Sequence, residues 1–404
     1  MPGPGNDLID ELEVEAVARV LRSGYLGRYG PDDDSFGAEV LTLEQSVAQL
    51  VGVRHSVAVN SGTSAIWILL SALGIGPGDE VIVPGFTFVA SMSSIVYAGA
   101  KPVLAEIDDT FNLDPVDVEA RITPNTKAIL AVHMLGASCN LDRLSTIADR
   151  HGLVLIEDAA QAFGGSYKGR RLGSIGVGGA YSFNQYKTIS CGDGGMLVTD
   201  SPELYEKCFA LHDQGHLPLR HGAEVGKRPF LGLNLRMNEL SGAVLNVQLG
   251  KLERILSTLR ANKAAFRAAI ETTPGVEFRR LADPDGDIAT HLVVVLPDAD
   301  VAKAVARDLD TKTLANSGWH VYANMEHLRN KRIVSGFASA VADYVADPGI
   351  LPATDALLAR SITLGVGVVD AGIGSAFGIN VRSTSTDIEK AADRFRTAVE
   401  HHLS

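Results

Sequence analysis

Seven short apolar runs, over 56–59, 81–83, 102–107, 127–132, 153–156, 180–183 and 196–199, alternate with helical stretches such as 63–73 and 141–151. The runs are too short for buried helices and are bounded by turn residues, so they are predicted to be strands. Strand–helix alternation implies an α/β protein with a mostly parallel sheet covered on both faces. Such sheets bind ligands at the carboxyl ends of their strands. Leu245, Leu249, Leu252, Leu256 and Leu259 then recur at steps of four and three, the spacing of one helix face. A domain boundary is placed along this helix near Gly250. That divides the chain into a large domain over 1–250 and a smaller α+β domain over 251–404. The smaller one is predicted to have strands over 291–296 and 361–366 and helices over 302–309 and 388–401. A chain of 404 residues is long enough for two cores.

The 36 basic residues fall short of the 48 acidic ones, leaving a net charge of −12 with no block of Lys or Arg. An acidic chain without a basic stripe is a poor binder of nucleic acid or of a membrane surface. An anionic ligand must therefore be held by local groups. The amino-terminal MPGPGNDLIDELE has neither the basic start nor the apolar run of a signal peptide. Cys139, Cys191 and Cys208 form neither a CxxC pair nor an even set. A cytoplasmic location is expected.

Three segments carry chemistry. Asn60-Ser61-Gly62-Thr63-Ser64-Ala65 follows one strand and opens one helix, where backbone amides and hydroxyls can receive a phosphate; its plainer reading is a Ser/Thr helix cap. Leu153-Val154-Leu155-Ile156-Glu157-Asp158 is an apolar strand ending in two carboxylates. Side chains alternate along a strand, so only one of Glu157 and Asp158 can face a given crevice. A buried carboxylate needs a cationic partner, such as a protonated pyridine nitrogen; capping the next helix is an equal alternative. In Ser182-Phe183-Asn184-Gln185-Tyr186-Lys187, a lysine leaves a buried strand close to Gly192, Gly194 and Gly195. Partly desolvated, such an amine loses its proton more readily and becomes an imine-forming nucleophile; an ordinary lysine lies in solvent.

In this order, with the loop Pro84-Gly85-Phe86-Thr87-Phe88 between the first two, the motifs closely resemble the DegT/DnrJ/EryC1/StrS aminotransferases. The resemblance extends through Gly74-Ile75-Gly76-Pro77-Gly78-Asp79-Glu80, Glu157-Asp158-Ala159-Ala160-Gln161, Gly192-Asp193-Gly194-Gly195 and Asn234-Leu235-Arg236-Met237-Asn238-Glu239-Leu240. It implies the fold-type-I architecture of pyridoxal-5'-phosphate enzymes. It further implies a ping-pong transfer of an amino group, from glutamate or glutamine, to a keto sugar that is often nucleotide-linked. Residue by residue, it implies that Lys187 forms the Schiff base and shuttles the proton, and that Asp158 pairs with the pyridinium nitrogen. Gln161 would approach the ring hydroxyl and Phe88 would stack on the ring. Gly62, Thr63, Ser64 and Ser182 would hold the phosphate. Asn234 would reach the phosphate in the neighbouring subunit of a homodimer with shared sites. Tyr29, His320, Tyr322 and His327 are the candidates for substrate contact, and no metal site is expected.

Some features depart from that pattern. The segment Gly27-Arg28-Tyr29-Gly30-Pro31-Asp32-Asp33-Asp34-Ser35-Phe36 is longer and more acidic than expected for sugar-nucleotide members. If its aspartates face the site they would repel a diphosphate; a solvated turn is the default for such a run. Substrates other than a sugar nucleotide, such as a cyclitol ketone, therefore stay open. Dehydratases of the family carry His in place of the lysine, which Lys187 argues against, and a regulator without catalysis would not need Lys187, Asp158 and Gln161 together. Gly372-Ile373-Gly374-Ser375-Ala376-Phe377-Gly378 lacks the dinucleotide-binding spacing.

Overall fold

The computed structural model describes residues 3–218, 228, 231–368, 372–373 and 377–403. Its main sheet has seven strands: β1 (His55–Val59), β2 (Glu80–Pro84), β3 (Lys101–Ala105), β4 (Thr126–Val132), β5 (Val154–Asp158), β6 (Gly178–Ser182) and β7 (Gly195–Thr199). Their spatial order is β1-β7-β6-β5-β4-β2-β3. All seven expected strands are present, within a few residues of their expected bounds. Pairing is parallel from β6 through β5, β4 and β2 to β3. Only β7 runs against both of its neighbours. The reason is local: the link from β6 to β7 holds no crossover helix, and a short link returns a strand antiparallel. That link carries Lys187. An Asn184–Gly192 bridge pinches it into a compact loop.

Helices α1 (Glu11–Ser23), α2 (Glu39–Val51), α3 (Gly62–Ala72), α4 (Val89–Tyr97), α5 (Leu141–His151) and α6 (Pro202–His212) cover the two faces of this sheet together with α7 (Glu239–Ile270). Val57, Val83, Leu130, Ile156 and Leu197 pack to one side of it, with Ile66, Leu69 and Ile95 of α3 and α4. Ala58, Ile82, Ile129, Leu155 and Met196 pack to the other, with Leu144 of α5 and Leu245, Leu252 and Leu256 of α7. α7 starts at an Asn238 side-chain cap on the Ser241 amide and runs 32 residues, about 48 Å at 1.5 Å per residue. Gly250 lies inside it without interrupting it. α1 is tied to α7 by the buried Glu13 carboxylate, which accepts from Gln248 and Lys251 at 2.6 and 2.7 Å.

A second sheet, antiparallel, consists of β8 (Glu277–Phe278), β9 (His291–Val295) and β10 (Ser361–Gly365). It packs with Phe266 and Ile270 of α7, with α8 (Ala299–Asp308) and with the last helix, Ser385–Leu403. The stretch between β9 and β10 was expected to belong to the small domain. Its residues Leu314, Val321, Tyr322, Met325, Tyr344 and Leu351 share one hydrophobic cluster with the main sheet and with Val293 and Val295 of β9. The amide of Thr87 donates to the His320 carbonyl and the amide of Tyr322 to the Gly85 carbonyl, stitching this stretch to the loop after β2. No helix among the described residues is long and apolar enough to cross a membrane.

Candidate active site

Strands β1, β2, β5 and β6 point the same way, so the segments that follow them gather at one edge of the sheet. A cavity of about 790 Å³ opens there, closed on its far side by residues of the second sheet and of the 317–320 segment. Gly62, Thr63, Phe88, Asp158, Gln161, Ser182, Lys187 and His320 all line it. Eight of the residues singled out in the sequence, spread over some 260 positions, thus meet at one place.

The floor is the amino terminus of α3. Ser61 caps it, its hydroxyl accepting from the Ser64 amide at 3.1 Å. Two glycines permit the close approach of strands that shapes this corner. A Cβ on Gly62 would lie 2.8 Å from that of Ser182, and one on Gly195 would lie 2.3 Å from the Ser61 carbonyl carbon. The result is a cup of free helix amides and hydroxyls from Ser61, Thr63 and Ser182, the form of an anion site. Ser64 is a correction to the expected phosphate set. Its hydroxyl donates to the Asn60 side-chain oxygen, 2.7 Å away, and it does not line the cavity. Ser61 lines the cavity in its stead, and its position as the cap of the same helix was the available signal.

The paired carboxylates at the end of β5 diverge, as strand alternation requires. Glu157 faces away from the cavity into a dry nest. His133 accepts the Cys139 amide on Nδ1 at 3.2 Å, so its Nε2 carries the hydrogen and donates to Glu157 at 3.0 Å. The amides of Gly173, Ile175 and Gly176 donate to Glu157 as well, at 2.6–2.7 Å. Burial opposes charge on Glu157, but these donors outweigh it and hold the carboxyl below its ordinary range.

Asp158 faces the cavity. The Ser91 hydroxyl donates to one oxygen at 2.7 Å and the Ala160 amide to the other at 3.1 Å. Ser91 in turn is 2.7 Å from the Thr87 hydroxyl. Burial pushes the Asp158 carboxyl up, and the two hydrogen bonds and the charge of Lys187 pull it only part of the way back. A buried carboxylate in this condition suits a cationic ring nitrogen. Gln161 is oriented by the Leu135 amide, which donates to its side-chain oxygen at 2.9 Å. Its amide nitrogen is left as the donor toward the cavity. Lys187 is half-buried on the loop between β6 and β7.

The upper wall is aromatic: Phe88, 40 % exposed, lies with its ring 5.3 Å from that of His320, and Trp319 is beside it. Burial, with the charges of Lys187 and Lys312, pushes His320 down to about 3. It is therefore a neutral imidazole, bonded through Nδ1 to the Ser317 hydroxyl at 3.0 Å.

The other candidates lie off the cavity. Tyr322 turns inward because the strand-like pairing ends at Val321, where a 3₁₀ turn, Tyr322–Asn324, begins. Its hydroxyl donates to Asp355 at 2.9 Å. His327 is exposed, 5.9 Å ring to ring from Trp319. Tyr29 donates to Asp213, while its neighbour Arg28 pairs with Glu44 through two 2.7 Å bonds. Asp32, Asp33 and Asp34 form an exposed turn in which Asp33 accepts from the Ser35 amide at 2.8 Å. They do not face this chain's cavity. Asn234 is exposed beside Asp213 and does not line the cavity either. Of the glycine-rich tail, Gly372 and Ile373 line the cavity, and 374–376 lie outside the described residues. Thr87, Thr290 and His291 line it too and were not anticipated: Thr290 precedes and His291 opens a strand of the second sheet, and no local motif marks them.

The family described as the DegT/DnrJ/EryC1/StrS aminotransferase family matches residues 7–359. The chain is 40 % identical over 314 residues to the dTDP-3-amino-3,4,6-trideoxy-alpha-D-glucose transaminase of Streptomyces venezuelae, covering 75 % of this chain and 78 % of that one. It is 38 % identical over 317 residues to the L-glutamine:2-deoxy-scyllo-inosose aminotransferase of Streptomyces kanamyceticus, covering 76 % and 74 % of the two chains. Among solved structures, the aminotransferase from Psychrobacter cryohalolentis superposes with a TM-score of 0.81 at 27 % identity, over 100 % of both chains.

Proposed function

The chain belongs to the DegT/DnrJ/EryC1/StrS aminotransferase family, and from that premise we propose that it moves an amino group from an amino-acid donor, glutamate or glutamine, to the keto carbon of a sugar or cyclitol. One observation carries the reading: a lysine, a buried carboxylate lacking a full charge partner and a helix-terminal anion cup converge on one cavity. This donor set fits pyridoxal phosphate. When bound, that cofactor supplies an aldehyde for a covalent link to amines and a ring that accepts the electron pair left on the substrate carbon.

The chain's own residues do the rest. Ser61, Gly62, Thr63 and Ser182 would hold the phosphate, Asp158 would keep the ring nitrogen protonated, Gln161 would donate to the ring oxygen and Phe88 would cover one face. With the cofactor bound, the Lys187 amine would take the proton from the donor's α-carbon, and would run the transfer in the opposite sense for the keto substrate. The two halves share one site, the basis of a ping-pong cycle.

A cyclitol or another ketone without a diphosphate is favoured as acceptor by a specific observation. Among the described residues lining the cavity, Lys187 is the only lysine or arginine. A nucleotide diphosphate would need cations from elsewhere. The relatives include both kinds, one named for 2-deoxy-scyllo-inosose and another for a dTDP-linked sugar, so the choice rests on the cavity lining alone. The test is a panel of keto sugars, nucleotide-linked keto sugars and cyclitol ketones, each offered with glutamate and with glutamine. Turnover with at least one sugar or cyclitol ketone is expected. Amination of ordinary α-keto acids alone would overturn the assignment.

The assembly is a homodimer in this reading, with Asn234 reaching the neighbouring site. Leu12, Val14, Leu21, Leu26, Leu231 and Leu233 are exposed, and Leu231 is 90 % so. Apolar side chains in such number suit an interface better than solvent. Light scattering at micromolar concentration should give twice the mass of the 404-residue chain, or a multiple of that. A fully active monomer would sink the shared-site arrangement.

A further inference from the structure

His291 is the first residue of β9, at the end of the second sheet that meets the cavity. Its side chain is 5 % exposed, and the two ring nitrogens have different surroundings. Nδ1 lies 3.0 Å from the Thr290 hydroxyl. Nε2 is buried and has no hydrogen-bond partner in the protein. Buried ring nitrogens are nearly always paired, so one left over on the wall of a binding cavity marks a contact that a ligand completes.

The surroundings identify the chemistry of that ligand. Burial pushes His291 down to about 3, and the charges of Lys263, Arg279, His320 and Lys187 act in the same direction. The imidazole is therefore neutral and sits in a cationic field. Lys263 and Arg279 are themselves buried behind it: Lys263 pairs with Asp287, and Arg279 donates through Nε to the Thr110 carbonyl at 2.6 Å. Asp287 faces both cations and Asp108 acts on Arg279 as well, but the neighbouring charges that act most on His291 itself are the cationic ones. A neutral N–H donor in such a corner suits an anionic oxygen.

Every amino-acid donor carries one, its α-carboxylate, and the described lining residues offer it no lysine or arginine beyond Lys187, which is committed to the proton transfer. We propose that the Thr290 hydroxyl donates to His291 Nδ1, which leaves the ring hydrogen on Nε2, and that Nε2–H binds the α-carboxylate of the amino donor. Lys263 and Arg279 assist from behind without contact. The proposal rests on the aminotransferase reading given above and adds a donor subsite built by the second sheet.

The two half-reactions separate this from a structural role. In the holoenzyme, the donor half is followed by loss of the visible absorption of the lysine-linked cofactor on adding glutamate or glutamine. The acceptor half is followed by its return when a keto substrate is added. His291→Leu should weaken the donor constant about 10- to 100-fold, the size of a hydrogen bond to a charged group. The acceptor half should stay within about threefold. His291→Asn keeps an N–H donor and should recover most of the donor constant, and it decides the matter if the leucine variant does not fold. Equilibrium titration with α-methylglutamate and α-methylglutamine, which carry the carboxylate but no α-hydrogen, should show the same loss without turnover. The His291→Leu protein also loses the Nδ1 bond to Thr290, so its melting temperature should fall modestly, whereas a merely structural role would lower it without separating the two half-reactions. Equal losses in both halves, or an unchanged donor constant in both variants, would overturn the proposal. If the unaltered protein responds to neither amino acid, the aminotransferase reading itself fails.

Discussion

Lys187→Ala should leave a protein that binds pyridoxal phosphate but cannot complete a turnover. The proposed mechanism gives this amine two functions, the covalent link and the proton transfer. The second alone is worth about 10²- to 10⁴-fold in rate, and without the first the cofactor is held by non-covalent contacts only. Those contacts are independent of the lysine: the Ser61–Gly62–Thr63 cup belongs to the start of α3, and Asp158 is held by Ser91 and Ala160. Cofactor should therefore remain bound through gel filtration, and the visible band of the lysine-linked form should be missing. An added amino donor should give a stable spectral change instead of multiple turnovers. The absorption spectrum and product counting on the same sample check this. Near-normal transamination by Lys187→Ala, with no other lysine linked to the cofactor, would defeat the assignment of this site.

Asp158→Ala should separate linking from proton abstraction. The lysine can still form the covalent bond, so the visible band should persist. The ring nitrogen, however, loses the carboxylate that holds its proton, and the electron pair left on the substrate carbon loses its stabilisation. Deleting one group placed to stabilise developing charge costs about 10²- to 10³-fold, and the donor half-reaction, measured by stopped flow, should slow by that amount. Substitution should not unfold the protein, because Asp158 is a buried carboxyl already pushed up by desolvation and only part-compensated by its hydrogen bonds. The adjacent Glu157 is the contrasting case. Its carboxylate is fully satisfied by His133 and three amides, so its loss should act on stability. A rate for Asp158→Ala within tenfold of the unaltered enzyme would remove Asp158 from the proposed role.

Much of this site was legible along the chain because its chemistry sits on strand ends. The run before Glu157 and Asp158 is apolar and bounded, so both its strand character and the divergence of its last two side chains follow from the period of two. The position of Lys187 just past a buried strand, and of Gly62 and Thr63 at the start of a helix, are equally local facts. The helix over 141–151 is matched residue for residue, from the Asn140 cap to a left-handed Gly152. Ser64 was misjudged at the same local level. Two hydroxyls in one turn are equivalent in sequence, and the cap geometry chooses Ser61 for the cavity and turns Ser64 toward Asn60.

What the sequence by itself determined is the set of elements and which residues end them, since hydrophobic period, caps and turn residues act within about one helical turn or one strand. Tertiary structure alone decided the direction of β7, the joining of the 314–351 stretch to the main core, and the makeup of the cavity's far wall. Those outcomes depend on pairings between distant residues, Gly85 with Tyr322 or Phe86 with Val321, that leave no periodic trace in the chain. The same reason explains why His320 faces the cavity while Tyr322 does not, and why His291 became visible only once the second sheet was in place: a side chain's surroundings are set by what the fold brings opposite it.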